Sequence, residues 1–290
     1  MKLIWKFNLA LLVLFANGFT ISGYLTYRVL QANARDEILQ NARVMMEAAL
    51  SARSYTIGQI KPLLDTQQKY FFRPQTVPAY AATEQFNELR KKYPDYGYKE
   101  ATLNPTNPRD RATDWETDVV GQFRQTPGRP EMLGERMTPT GPSLYLARPI
   151  QITNAACLSC HSTVDAAPKT MIAAYGEANG FGWKLDEVVG AQIVSVPMSV
   201  PIERAKRSLR AFLLSLAAVF LVTFVLINVM LYTIVIRRIT WLSALADRVS
   251  LGDLEAGDFV SQSADEIGIL TGALGRMKAS LVHVMKVLEP

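Results

Sequence analysis

The chain has 290 residues, of which 49% are hydrophobic, and its formal net charge is +5. This hydrophobic share is at the upper edge for a globular protein, so we expect apolar segments outside a folded core. The basic residues are scattered, and several flank apolar runs, which favours contact with membrane lipid and argues against nucleic-acid binding.

Two uncharged runs, residues 7–27 and 211–236, each exceed the roughly 20 helical residues that cross a membrane. A cleaved secretory signal is the alternative for the first run, because Lys2 and Lys6 precede it. Its length and the lack of a clear small-x-small cleavage site favour an uncleaved anchor. The predicted organisation is listed from the N-terminus: tail 1–6, membrane helix 7–27, a domain over 28–210, membrane helix 211–236 and a C-terminal segment 237–290.

The first part of the 28–210 domain is predicted to be one long helix that continues from the first span. Apolar or small residues recur at three- or four-residue intervals along one helix face, which comprises Ile38, Leu39, Ala42, Met45, Met46, Ala49, Ala52, Thr56 and Ile60. We expect this helix to end near Lys61 and Pro62, because the residue before a proline disfavours helix.

Short strands are predicted over residues 98–103, 143–152 and 191–197, separated by proline and glycine clusters. Two of these clusters, "NPTNP" at 104–108 and "GFGW" at 180–183, are interpreted as turns. An α+β domain fits this pattern better than a small all-helical cytochrome.

The stretch "NAACLSCHST" at residues 154–163 holds both cysteines of the chain and one of its two histidines. Cys-x-x-Cys-His is the sequence that attaches c-type haem, with Cys157 and Cys160 bonded to the porphyrin and His161 as an axial iron ligand. Zinc would need two more ligands, and His283 lies beyond the second span. A thioredoxin-like pair would open a helix in a βαβ unit, which the flanking residues do not suggest. We therefore predict one covalent haem c.

Covalent attachment of this kind takes place outside the bacterial cytoplasmic membrane. The 28–210 domain is therefore expected in the periplasm, and the tail 1–6 and the segment 237–290 in the cytoplasm. An oxidising compartment is consistent with a chain that has no spare cysteine. The expected product is a two-pass protein of the inner membrane.

Seven motifs in chain order resemble a family of periplasmic single-haem c-type sensor domains with a PAS-like fold. They are "ARSYT", "KPLL", "TVPAYAATEQF", "YKEATLNPTNPRDRATDWE", "LYLARPI", "CLSCH" and "MIAAYGEANGFGWKLDEVVGAQIVSVPM". The resemblance covers about residues 36–198. It implies a curved antiparallel sheet with flanking helices, haem at the Cys-x-x-Cys-His motif, and a sixth iron ligand from the long N-terminal helix, which in some relatives is a cysteine.

The chain has no third cysteine for that sixth position. Methionine is the remaining good haem ligand, and the helix carries Met45 and Met46 side by side. The match of "ARSYT" to the family's helix favours Met46, with Met45 as the alternative, although methionine on an apolar helix face usually fills a core. The other candidates are an open or water-bound iron, Met132, Met137 and Met171.

Arg53 and Tyr55 are candidates for contact with the haem propionates, because buried anions favour arginine. A surface arginine and a packed tyrosine are the alternative interpretation. No serine–histidine–acid set, phosphate loop or defined carboxylate pair is present, and the histidine of the domain is assigned to iron. We do not expect an enzyme.

The segment 237–290 carries two apolar series with three- and four-residue spacing. They comprise Ile239, Leu242, Ala246 and Val249, and then Ile267, Leu270, Leu274, Met277, Leu281, Val284 and Leu288. With a connector that contains Gly252, Leu254 and Val260, and the start "ADEIG", the segment resembles a HAMP signalling module. The resemblance implies a parallel four-helix bundle of two chains, hence a homodimer. Trp241 departs from the proline common there, and a generic coiled coil is the alternative.

Two functions follow as hypotheses. In the first, a transmembrane haem sensor responds to redox state or to a diatomic gas such as NO or CO. Because the sequence stops at Pro290 without an output domain, it is expected to signal to a separate cytoplasmic partner. In the second, a membrane-tethered c-type cytochrome transfers electrons. The resemblance to a dimeric relay module favours the sensor.

Overall fold

The structure is a computed structural model that describes residues 3–260 and 264–288. The chain divides into two compact units, one of residues 24–209 and one of residues 1–23 with 210–290. Residues 1 and 2 of the predicted tail lie outside the described residues, as do residues 261–263, 289 and 290 of the predicted signalling segment.

Helix α1 extends from Leu3 to Tyr55 and is followed without a loop by a π-helical segment, Thr56–Ile60. Helix α2, Lys61–Leu64, and a 3-10 turn, Asp65–Lys69, come directly after it. The helical course was expected to end near Lys61 and Pro62, and this prediction is wrong. Pro62 lies in the first turn of α2, where its missing N–H breaks no helical bond, and the π-segment ahead of it changes the hydrogen-bond register.

The predicted apolar face of α1 is the face that the structure buries. Ile38, Ala42, Met46 and Ala49 are 0% exposed. They pack in one cluster with strand residues and with helix α3, Pro78–Arg90. The three-or-four spacing therefore identified the side of α1 that contacts the rest of the domain.

Four strands form one sheet in which all neighbours are antiparallel. They are β1 (Gly97–Thr102), β2 (Met132–Thr138), β3 (Gly141–Gln151) and β4 (Val188–Pro197), in the spatial order β1-β4-β3-β2. Three of these strands were predicted, and β2 was missed. Because β2 is an edge strand with exposed residues at alternate positions, its sequence "MLGERMT" lacks an apolar run.

The two faces of the sheet have separate cores. On one face, α1 and α3 cover Leu146 and Val194. On the other face, helix α4, Asp114–Gln125, packs Val120 and Phe123 against the sheet. The expected mixture of helix and sheet is confirmed, and the PAS-like arrangement within that class stays a prediction.

The described residues contain two helical stretches long and apolar enough to cross a membrane, Ile4–Lys69 and Ser199–Ser250. The second comprises α7 (Ser199–Met230), a π-segment (Leu231–Ile236) and α8 (Arg237–Ser250). The most apolar windows have mean hydropathies of 1.6 and 2.6 and are 0% buried. The two stretches fit a membrane protein and contain the predicted spans 7–27 and 211–236.

After α8 the chain forms a connector and helix α9, Glu266–Leu288. Leu242, Leu245 and Val249 of α8 form a small core with Phe259 of the connector. Val260, which was predicted to be an apolar residue of the connector, is 69% exposed, so the neighbouring Phe259 takes the buried place. Apolar side chains on α9 stay exposed along its length: Leu270, Met277, Leu281 and Val284.

Candidate functional site

The Cys-x-x-Cys-His motif lies in the connection from β3 to β4. The Asn154 side chain accepts a hydrogen bond from the Ala156 N–H at 2.8 Å and so begins a 3-10 turn, Ala155–Cys157. The four-residue helix α5, Leu158–His161, follows it. Cys157 and Cys160 are both half-buried thiols and take part in no disulfide. Because helical residues three apart share a face, the turn presents both sulfurs on one side.

His161 is held by a carbonyl and by an aromatic ring. Its Nδ1 lies 2.8 Å from the Gly180 carbonyl oxygen, which can only accept, so Nδ1–H donates and Nε2 keeps its lone pair. The imidazole stacks on Trp183 with 4.0 Å between ring centroids. Burial lowers the pKa of His161 below its usual value, although the bond to Gly180 acts in the opposite direction. The result is a neutral imidazole whose Nε2 is available to a metal.

Residues of two predicted turns hold that carbonyl in place. The Gly180 N–H donates to Asn104 Oδ1 at 3.3 Å, and Asn104 Nδ2 donates to the Phe181 carbonyl at 3.2 Å. Gly180 has a φ of +87°, and a Cβ there would lie 2.0 Å from Thr106 Oγ1. The turns "NPTNP" and "GFGW", interpreted from the sequence as turns only, therefore orient His161.

Arg53 of α1 forms a largely buried ion pair. Its guanidinium contacts the carboxylate of Glu100, which also accepts a hydrogen bond from the Tyr98 hydroxyl at 2.7 Å. Burial is the largest single influence on the pKa of Arg53 and lowers it, but the charge of Glu100, the neighbouring Tyr98 and the hydrogen bond to Glu100 together outweigh burial, so the net shift is upward. Cys157 of the Cys-x-x-Cys-His motif adds a smaller upward contribution to the pKa of Arg53.

A cavity of about 850 Å³ lies along the same part of α1. Ala48, Ala52 and Tyr55 of α1 line it on one side, and Tyr80 and Ala81 of α3 line it on the other. The small alanine side chains leave the space open, and the two tyrosines give it an amphipathic wall. Tyr55, two residues after Arg53 in the chain, therefore lines the cavity.

Met46 lies in the core between α1 and the sheet, where it is 0% exposed beside Leu146 and Val194. Met45 is partly buried against the same core. Neither lines the cavity. The structure therefore places Met46 in the surroundings usual for a core methionine, and its assignment as an iron ligand stays a prediction.

The other predicted candidates are dispersed. Met132 and Met171 are buried, and Met132 belongs to the second core of the sheet, whereas Met137 is 74% exposed. Within residues 3–260 and 264–288, no group of three or more His, Cys, Asp and Glu side chains is arranged to hold a metal ion.

Comparison with known proteins gives one family and one structure. A solved structure titled "Crystal structure of the cyanobacterial heme-protein Tll0287" is 17% identical, with a TM-score of 0.42, and the match covers 56% of this chain and 95% of that one. Among curated proteins, none matches the chain. The profile of the Tll0287-like family matches residues 31–197, which is more than half of the 290 residues. The chain belongs to the Tll0287-like family.

Proposed function

We propose that this chain is a membrane-anchored haem protein in which Cys157 and Cys160 hold one haem through thioether bonds and His161 is an axial ligand. The observation that carries this proposal is the hydrogen bond from His161 Nδ1 to the Gly180 carbonyl, which leaves the Nε2 lone pair for iron in a motif whose two thiols form no disulfide. A bound haem supplies an iron that changes redox state and can bind diatomic gases.

The C-terminal part of α1 offers space and charge that suit such a group, although Cys157, Cys160 and His161 do not themselves line its cavity. A cavity of about 850 Å³ lies within the range of about 300 to 1,000 Å³ that is usual for cofactor sites. Arg53, which interacts electrostatically with Cys157, would hold a propionate with guanidinium N–H groups that Glu100 leaves unused. Tyr55, at the cavity wall, is the second candidate for such a contact.

Among the candidates that the sequence offers for the sixth iron position, the two leading ones are ligation by Met46, with Met45 as its alternative, and an open or water-bound iron. The burial of Met46 in an apolar core, away from the cavity wall, favours the open position. An open position suits a protein that detects a diatomic gas, because the gas then displaces no protein ligand.

We infer a signalling role in which the haem domain lies in the periplasm and the segment 237–290 forms a HAMP bundle in the cytoplasm. The exposed apolar residues of α9, including Leu270, Met277 and Leu281, support a homodimer, because a second copy would bury them. The output would be a separate partner protein. A membrane-tethered electron carrier, the alternative, gives these exposed residues no role.

The haem assignment is tested by expression with the c-type maturation machinery, followed by haem staining of a denaturing gel. We expect a stained band for the wild-type chain and none for the Cys157→Ala/Cys160→Ala double variant. Ser159→Ala is the matched control, because Ser159 lies between the cysteines and its hydroxyl, which donates to the Ala156 carbonyl and lies 3.8 Å from Cys160 Sγ, forms no bond to haem. Staining that survives the loss of both cysteines would refute covalent attachment through the motif.

A further inference from the structure

A second cavity lies where α3, the edge strand β1 and the start of α4 meet. It is a cleft of about 400 Å³. It shares no lining residue with the larger cavity along α1. The haem assignment therefore gives this cleft no role.

The cleft is lined by four basic side chains: Arg90, Lys99, Arg109 and Arg136. Carboxylates neutralise two of them, since Lys99 Nζ lies 2.7 Å from Glu116 and Arg109 pairs with Glu84. In the part of the chain that the structure describes, the other two have no acidic partner within ion-pair distance. Asp110 also lines the cleft, and its carboxylate lies 3.7 Å from Arg109. Three carboxylates, Glu84, Asp110 and Glu116, thus oppose the four basic side chains, and the one net positive charge that remains favours an anion.

Arg136 is held in one orientation. Its guanidinium carbon lies 4.2 Å from the ring centroid of Trp115, which in turn contacts Tyr145 at a centroid separation of 5.3 Å. An arginine stacked in this way keeps its N–H edge available for two parallel hydrogen bonds to a carboxylate. The side chain is therefore preorganised to bind such a group.

Thr83 adds a hydroxyl without a hydrogen-bond partner. The residue lines the cleft and is only 8% exposed, and its Oγ1 is buried with no partner among the described residues. A buried hydroxyl without a partner is costly and needs an explanation. Rotation about the χ1 bond of Thr83 would turn this hydroxyl to the cleft, where a carboxylate oxygen would accept its hydrogen bond.

We propose that this cleft is a binding site for a small organic carboxylate. Arg136 and Arg90 donate to the carboxylate oxygens, and the Thr83 hydroxyl donates a further hydrogen bond. Trp115 and Ile193, which also line the cleft, offer apolar surface to the carbon chain of the ligand. An inorganic anion would leave that surface unused, so the arrangement favours an organic acid.

Arg109 connects the cleft to the cavity assigned to haem. It lines the cleft, while its guanidinium pairs with Glu84 and lies 5.1 Å from the ring centroid of Tyr80. Glu84 and Tyr80 both line the larger cavity. A ligand carboxylate beside Arg109 would compete with Glu84 for the guanidinium of Arg109. Ligand binding should therefore change the surroundings of the haem. This connection to haem is the one step that rests on the proposed function.

The test is a titration of the full-length, haem-loaded protein in detergent with succinate, followed by calorimetry and by thermal unfolding. We expect succinate to bind and to raise the unfolding temperature, because it binds only the folded state. Succinamide, which has the same carbon chain without charge, and sulfate at equal ionic strength should have much smaller effects. An equal shift with sulfate would contradict an organic carboxylate site, and no shift with succinate would overturn the proposal.

Variants separate this site from general charge effects. Arg136→Gln should weaken succinate binding about tenfold or more, as expected when a charge-assisted pair of hydrogen bonds is lost. Arg129→Gln, an exposed arginine outside the cleft, is the matched control and should bind like the wild type. Thr83→Val keeps the shape, and should raise the unfolding temperature of the ligand-free protein while weakening succinate binding.

The absorption spectrum of the haem, recorded in the same titration, tests the connection through Arg109. A spectral change that saturates with succinate binding supports it, and binding with an unchanged spectrum contradicts it. Because calorimetry reports succinate binding and the spectrum reports haem, a failure of this site can be distinguished from a failure of the haem assignment. Wild-type affinity in both Arg136→Gln and Thr83→Val would overturn the site.

Discussion

Gly180 controls the orientation of His161, because its carbonyl oxygen accepts the Nδ1 proton. The residues of the motif could be chosen from the sequence, since Cys157, Cys160 and His161 are neighbours along the chain. Gly180 and Asn104 could not be chosen, because they lie 19 and 57 positions away from His161 and carry no periodic pattern. Such residues predict a turn, but they do not predict which side chain the turn will support.

A substitution at Gly180 tests this support. Gly180→Ala places a Cβ into Thr106 at a positive φ, so we expect the carbonyl to move and the iron–histidine bond to weaken. Haem should stay covalently attached, while its absorption spectrum and reduction potential change. Gly182→Ala is the control, because Gly182 has a similar φ of +81° but open space around its Cβ. Equal spectra for Gly180→Ala and wild type would contradict the orienting role.

Asp110 gives a prediction about pH. Burial raises the pKa of Asp110 from 3.8 to about 6, even though Arg109 acts to lower it. The folded state therefore holds this proton more tightly than the unfolded state, and the stabilising effect of the neutral acid is lost as pH rises from about 4 through 6. Asp110→Asn should be more stable than wild type at pH 7.5 and similar to it at pH 3.5. Urea unfolding at both pH values measures the difference, and an equal difference at the two would contradict the burial effect.

At the scale of the elements, the long helix α1 joins the apolar N-terminal stretch to the core of the 24–209 unit. Its buried face could be predicted because the three-or-four spacing is a local property of the sequence. The end of α1 could not be predicted, because the π-segment Thr56–Ile60 allows the helix to continue through Pro62. Strand β2 was missed because an edge strand needs few apolar residues, and its pairing with β3 depends on a distant partner.

Met46 can be tested as a core residue and as a ligand with two substitutions. Met46→Ala should lower the free energy of unfolding by about 2 to 5 kcal/mol, because it leaves a cavity between α1 and the sheet. Met46→Leu conserves volume and should cost less than about 1.5 kcal/mol. Because an open sixth position is favoured, we expect the haem spectrum of Met46→Leu to equal that of wild type. Loss of a thioether-to-iron band in Met46→Leu would instead establish Met46 as the ligand.

At the scale of the whole molecule, the resemblance seen in the sequence over residues 36–198 nearly coincides with the family match over residues 31–197. The extent of the domain could be predicted from the motifs because they are spread over the domain in a fixed order. The sequence pattern also located two apolar helical stretches, since length and hydropathy are local properties. The cleft beside Arg136 had no such signal, because α3, β1, α4 and β2 each supply only a few of its residues.

The homodimer is tested by cross-linking through helix α9. In a single copy, Leu281 is 43% exposed on the apolar side of the helix. Because the proposed haem would occupy both native cysteines, Leu281→Cys would introduce one reactive thiol, and a bismaleimide should join two copies in isolated membranes. Ser280→Cys, exposed at the adjacent position, should cross-link far less. Equal cross-linking yields at the two positions would contradict a bundle in which the exposed apolar residues of α9 face the second copy.

Covalent haem at the Cys-x-x-Cys-His motif is the central claim, and peptide mass spectrometry tests it most directly. The wild-type protein, matured with the c-type machinery, is extracted with acid acetone and digested with trypsin. The peptide that ends at Lys169 contains Cys157 and Cys160, and we predict that its mass includes one haem. The same peptide found without haem, with two free thiols or a disulfide, would contradict the claim.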